Sequence, residues 1–323
     1  MADKDRGVPA AMPFRPTNRQ LQYFVSLADL GHFGAAARAC HVSQPTLSAQ
    51  LKLLEEQLGV ALIERGTGSA CPTPAGTVIL PLARTVLAGL DEIVATASLG
   101  AGNLGGLIRL GVAPTIGPYV MPRMLPHLHD RHPRLEIYIR EDRPLTLESG
   151  LADGSLDCVL TPLPLTGERF ESVAICEETV FLGIPTEHPI AREKRISVKM
   201  LSGERLLTLG KGHRLFDQVQ DLCDASGARL REDYEGTSLD ALRQMVSIGM
   251  GLSLFPATYV AFEFAKERNV VLREIGGWPI RRTICLAWRQ DSVRREHFQS
   301  LASEAKTAFA TLTDSGSIRV IDD

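Results

Sequence analysis

The stretch HFGAAARACHVSQPTLSAQLKLLEEQLGVALIER, His32 to Arg65, decides how the first third of the chain folds. FGAAARACH reads as a short helix whose alanines permit close packing. Ser43 is then a natural N-cap, and Pro45 falls in the first helical turn, where no amide partner is lost. Leu47, Leu51, Leu54 and Leu58 follow as an apolar stripe at helical spacing. Working outward towards the N-terminus, Leu21, Phe24, Val25, Leu27 and Ala28 return at three- and four-residue intervals from Thr17 until Gly31 ends the run. Three short helices in succession predict a helix-turn-helix. After Gly59, VALIER reads as a strand, GTGSA as a loop and CPTPAG as the return into a new helix, which adds a hairpin wing.

From Thr77 to about Leu99 the pattern is helical again, with Val78, Leu82, Val86, Leu90, Ile93 and Val94 on one stripe. Little around this stripe is able to cover it, so a second copy of the same helix is the simplest cover and a dimer is expected. GAGNLGG, residues 100–106, is a flexible linker. Beyond it, LIRLGVA, LEIYIRE and LDCVLTP read as strands alternating with helices at Gly117 to His132 and up to Leu151, the signature of a parallel-sheet α/β unit. A similar series runs from VFLGIP through a helix near Arg214, a helix at Ser238 to Ile248 and the strand GLSLFP. RRTICLAWR and a terminal helix cross back to the first unit. The fold class is therefore α/β with an N-terminal all-α winged helix-turn-helix. The expected division is 14–76 for the winged domain, 77–99 for the linker helix, 100–106 for the flexible linker, 107–177 with 283–315 for one lobe and 178–282 for the other.

The 323 residues suffice for two or three domains with sizeable cores, and a formal net charge of -3 gives no general affinity for nucleic acid or acidic membranes. No apolar run reaches the roughly 20 residues of a membrane helix, and MADKDRGVPAAMPFRP lacks the apolar core of a signal peptide, so a cytoplasmic location is expected. Cys40, Cys71, Cys158, Cys176, Cys223 and Cys285 form no CxxC or other metal-type spacing. Neither a zinc site, a structural disulfide nor a cofactor is predicted. No nucleophile, base and orienting group occur together, so an enzyme is not expected.

The alanine pair, SQPTLS, LEEQLG and the closing ER fall in the order seen in LysR-type transcriptional regulators, which the N-terminal third closely resembles. The resemblance implies a winged helix-turn-helix, a dimerising linker helix and a two-lobed effector domain built like a periplasmic binding protein. The effector half resembles the hydrogen-peroxide-sensing OxyR branch through APTIGPYVMP, LDCVLTPLP, TEHP, the GH before Arg214, DQ, TSLDALRQMV and RRTI. In that branch a peroxidatic cysteine follows the histidine of GH and a second cysteine lies further along. Here the second position is Cys223 and the first is Arg214.

On this resemblance Gln44, Thr46, Ser48 and Gln50 are expected to meet base edges, Ser43 and Lys52 phosphate, Pro45 a thymine methyl, and Arg65 the minor groove or backbone. The partners implied are double-stranded promoter DNA, RNA polymerase, a small-molecule effector and further copies of the chain, as a homodimer or a homotetramer arranged as a dimer of dimers. Arg15, Arg19, Arg38, Lys52 and Arg65 stand against Asp29, Glu55, Glu56 and Glu64, so specificity is expected to depend on several half-sites engaged together. The effector pocket would be lined by Thr115, Thr161, His213, Asp217 and Thr237, with Arg281 or Arg282 nearby. Arg214 would suit that pocket to an anion, unless it pairs with Asp217 three residues on, leaving the protein in one state. A redox reading would rest on Cys71, Cys176 or Cys223, with Cys40, Cys158 and Cys285 packed and inert.

Overall fold

A computed structural model describes residues 15–65, 69–99, 104–292, 294–312 and 316–321. The chain divides into two compact units, one ending at Ile93 and one beginning at Val94.

In the first unit, α1 (Asn18–Leu30) starts at a capping box formed by Thr17 and Gln20 and stops at Gly31 in the left-handed region. His32 caps α2 (Phe33–Ala39), and Ser43 caps α3 (Gln44–Leu58). Phe24, Leu27, Leu47, Leu51, Leu54 and Leu62 close a common core, each fully buried. β1 (Ile63–Arg65) pairs antiparallel with β2 (Ala70–Pro72), while residues 66–68 of the wing lie outside the described residues. Pairing begins at Ile63 and not at Val60, because the Glu55 carboxylate accepts the Leu62 and Ile63 amides at 2.9 and 3.1 Å and turns the chain before the ladder starts. α4 (Pro74–Leu99) starts a little earlier than Thr77, with the Thr73 hydroxyl accepting the Gly76 amide at 2.9 Å. Gly76 approaches the Leu62 carbonyl so closely that a Cβ would sit 2.1 Å from its oxygen, and this contact requires glycine.

The second unit opens with β3 (Gly106–Val112), α5 (Gly117–Arg131), β4 (Leu135–Glu141), α6 (Pro144–Ala152), β5 (Cys158–Pro162) and β6 (Phe170–Pro185). Gly106, the last residue of the expected linker, is already in a strand, and residues 100–103 lie outside the described residues. Then follow β7 (Ile196–Ser197), β8 (Arg205–Leu206), α7 (Arg214–Ser226), β9 (Arg229–Leu230), α8 (Leu239–Ser247), β10 (Ser253–Pro256) and α9 (Ala257–Glu263). The unit ends with β11 (Val270–Arg273), β12 (Ile275–Gly276), β13 (Arg281–Arg289), α10 (Arg295–Ala310) and β14 (Ile318–Val320).

The main sheet has the order β10-β6-β13-β5-β3-β4, and β11 and β14 also pair with β6. It is mixed, not parallel. β3 runs parallel to β4 and β5, whereas β13 returns antiparallel between β5 and β6. The 16-residue β6 begins at Phe170, ten residues before VFLGIP. Its first half pairs with β13 and β14, and its second half with β10 and β11.

Two apolar cores result. One collects Leu110, Leu147, Leu151, Leu286, Trp288 and Phe298, the other Leu182, Leu215, Val219, Leu222, Leu254 and Phe255. β6 passes from the first to the second between Cys176 and Val180, and β13 passes back between Ile280 and Ile284. These two strands join two lobes.

Candidate DNA-binding surface and interlobe site

On α3, Leu47, Leu51 and Leu54 face the core, which turns Gln44, Pro45, Thr46 and Lys52 fully outward and leaves Ser48 and Gln50 half-buried. The Ser43 hydroxyl accepts the Thr46 amide at 3.2 Å and lies 2.7 Å from the Thr46 hydroxyl, so both oxygens hold the helix start as well as facing solvent. Lys52 sits 3.6 Å from Glu56 in a water-exposed pair, which is readily exchanged for a phosphate. Arg65 is in β1, but its side chain lies outside the described residues. On α4, Val78, Leu82, Val86, Leu90, Ile93 and Val94 are exposed by 36 to 70%, an apolar stripe far larger than scattered surface residues would give.

In the second unit a turn through Gly212, at φ +92, delivers His213 to the start of α7. His213 is buried and makes no side-chain capping bond. Burial holds its pKa below the ordinary histidine value, and the nearby Arg143 guanidinium adds to this. Arg214 turns towards α6 and donates through Nη2 to Glu148 Oε1 at 2.8 Å. Glu148 is 4% exposed and Arg214 11%. The other Glu148 oxygen accepts the Thr166 amide at 2.7 Å and the Thr166 hydroxyl. Asp217, the local partner that helical spacing suggests, is 3.8 Å from Nη1 and 60% exposed, so Glu148 is the stronger partner. A second strap crosses alongside, with Arg143 Nη1 donating to the Lys211 carbonyl at 3.1 Å. Gln218, one turn beyond Arg214, donates to the Arg281 carbonyl at 3.2 Å.

Among the described residues, Arg214 Nε, Gln218 Oε1 and the Thr161 hydroxyl are buried without hydrogen-bond partners. Thr115 and Arg282 come together, but around Glu178. Arg282 donates to Glu178 Oε1 at 2.6 Å, to the Thr115 hydroxyl at 2.9 Å and to its carbonyl at 3.2 Å, and the second Glu178 oxygen accepts the Thr258 amide at 2.6 Å. Thr237 is exposed just before α8. Sequence reasoning missed Glu148, Thr166 and Glu178. Glu148 left one signal, a carboxylate directly beside Leu147 and three residues before Leu151 on the buried side of a short helix.

The cysteines are free. Cys158, Cys176, Cys223 and Cys285 are buried, and burial raises each thiol pKa, to about 11 for Cys223 and about 12 for Cys285. The Cys40 thiol donates to the Ser26 hydroxyl at 3.2 Å, and Cys71 is exposed on β2. Among the described residues no helix is long and apolar enough to cross a membrane.

Residues 18–77 match the family description "Bacterial regulatory helix-turn-helix protein, lysR family", and residues 101–310 match "LysR substrate binding domain". The chain is 40% identical over 284 residues to the DNA-binding transcriptional dual regulator OxyR of Escherichia coli K12, covering 88% of this chain and 93% of that protein. A hydrogen peroxide-inducible genes activator of Haemophilus influenzae is 33% identical over 296 residues, covering 92% and 98%. Among solved structures, a full-length OxyR variant from Pseudomonas aeruginosa superposes with a TM-score of 0.76 at 32% identity, covering 90% of this chain and 98% of that one. A hydrogen-peroxide-bound OxyR variant from Corynebacterium glutamicum gives 0.62 at 33% identity, covering 94% and 98%. The helix-turn-helix unit, the two-lobed α/β unit and these matches in both halves agree: the chain belongs to the LysR family of DNA-binding transcriptional regulators and is OxyR-like along its length.

Proposed function

We propose that this regulator grips promoter DNA as a homodimer or homotetramer and has lost the response to hydrogen peroxide. The single observation behind this is the Arg214 guanidinium, held against Glu148 where the OxyR resemblance implies a peroxidatic thiol. A peroxidatic group attacks as a thiolate, and a guanidinium is permanently charged and not nucleophilic. Cys223 is no substitute. Nine residues along one helix separate it from Arg214 by roughly 13 Å, a disulfide needs Cα atoms within about 7 Å, and burial keeps its thiol protonated at neutral pH.

The DNA contacts would come from Gln44, Thr46, Ser48 and Gln50 at base edges, with Ser43, Pro45, Lys52 and Arg65 around them. The apolar stripe on α4 supports pairing with a second copy. A small effector would enter near His213, Arg214, Thr161 and Gln218. Because Glu148 already balances Arg214, the site supports a regulator resting in one lobe arrangement better than an open anion pocket. RNA polymerase is the expected partner at the promoter.

The test is a footprint on the region upstream of the protein's own gene, with and without hydrogen peroxide. An unchanged footprint is expected. A shift that reductant reverses would overturn the reading and point to Cys71, the one cysteine exposed among those described. Mass spectrometry after mild peroxide decides that second reading by showing whether Cys71 alone is oxidised.

A further inference from the structure

Arg214 begins α7, whose Leu215, Val219 and Leu222 belong to one core, and Glu148 lies on α6, whose Leu147 and Leu151 belong to the other. Their ion pair therefore crosses between the lobes. We propose that Glu148 and Arg214 form an interlobe bolt that holds the effector unit in its present arrangement and must open before the lobes can move. The inference rests on reading this unit as one that controls DNA binding, and not on the argument about peroxide.

Burial decides why the pair acts as a bolt and not as a decoration. At 4% and 11% exposure the two charges are largely removed from water, so each depends on the other. Separating the lobes would leave the Glu148 carboxylate with only Thr166, which is on its own side of the cleft. Arg214 would keep only Asp217, which is exposed and 3.8 Å away, a pair of little strength. The Arg143 to Lys211 bond spans the cleft in the same direction and would break in the same movement. Two residues on different cores, both charged and both nearly buried, thus make the present arrangement self-consistent. The bolt also selects its opener: a simple anion bound to Arg214 would strand Glu148, so release needs a ligand that satisfies both charges or one that neutralises Glu148.

The experiment uses the full-length protein and compares wild type, Glu148→Gln, Arg214→Gln and the apolar double variant Glu148→Leu/Arg214→Met, which refills the site without charge. Hydrogen exchange is followed at Thr166 and Leu147–Leu151 in one lobe and at Gln218–Leu222 in the other, together with the footprint. Each single variant is expected to speed exchange in both lobes by about tenfold or more and to alter the footprint. In the double variant, whose fold is checked by thermal unfolding, the apolar contact refills the interface, so exchange in both lobes is expected to slow back towards wild type. Faster exchange confined to the lobe that carries the substitution, or single variants with wild-type exchange and footprint, would overturn the bolt. A peroxide-responsive wild-type footprint would instead count against the proposed function and leave the bolt standing.

Discussion

The Arg214 guanidinium sets what its buried neighbour must do. Glu148 is buried and ion-paired with Arg214, so the two positions are coupled. Arg214→Cys alone should therefore give a sluggish thiol, since an unpaired carboxylate beside it disfavours the thiolate. Adding Glu148→Gln should speed peroxide oxidation at position 214 by about threefold for each unit that the thiol pKa falls, the gain in thiolate outweighing the loss of nucleophilicity. Trapping of the sulfenic acid followed by mass spectrometry measures this, and equal rates in the single and double variants would refute the coupling. His213 makes a second prediction one residue away. Its pKa is held below the ordinary value of about 6.5 by burial and by Arg143. The unfolded chain then binds the proton first, so the stabilisation is complete above about pH 6.5 and declines as the pH falls towards the folded value. Thermal unfolding from pH 7.5 to 5 should show this decline in wild type and a shallower one in His213→Gln. Identical slopes would remove the histidine from the account.

At the scale of elements, the buried leucines of α3 serve folding and its exposed residues carry the proposed reading of DNA. Gln44→Ala changes a fully exposed side chain and should leave the melting temperature unchanged while costing about 1–3 kcal/mol of discrimination at one base pair. Ser43→Ala removes the bond that caps the helix and should cost about 1 kcal/mol of stability as well. Operator titration and calorimetry on the same samples separate the two effects. On α4, Leu82→Glu with Val86→Glu places charges on the exposed stripe and should convert the assembly to smaller species in analytical ultracentrifugation. An unchanged mass would mean that another surface holds the copies together. These helices were legible in the sequence because their signals are local: a cap, a proline in the first turn, leucines every third or fourth residue and a closing glycine. β6 was half-legible. Its apolar second half stands out, but FESVAICEET shows itself as a strand only when β13, some hundred residues later, returns to pair with it. The site was legible in the same uneven way. GKGHR announced a turn and a helix start, whereas the partner of Arg214 lies 66 residues earlier on another lobe, beyond the reach of any spacing rule.

Across the whole effector unit, the two strands that carry the chain between lobes are held by a second buried pair. Arg282 on β13 and Glu178 on β6 are 2% and 0% exposed, and Thr115 and the Thr258 amide complete their hydrogen bonds from the two sides. The lobes thus share a joint at their crossing strands and the proposed bolt across their cleft, and the bolt can open without breaking the sheet. The joint should therefore govern stability and the bolt should govern state. Removing one charge from the joint leaves the other buried without a counter-ion, which costs about 3–5 kcal/mol. For a unit of this size each kcal/mol lowers the melting temperature by about 2–4 °C, so Glu178→Gln should lower the effector-unit transition by roughly 10 °C. The neighbouring Glu177 supplies the control. It pairs with Arg281 and Arg319, which are 53% and 74% exposed, and such solvent-screened pairs are worth at most about 1 kcal/mol. Scanning calorimetry of the full chain reports both variants on one scale. If Glu177→Gln and Glu178→Gln destabilise the protein equally, burial does not set the strength of the joint, and the division of labour between joint and bolt fails with it.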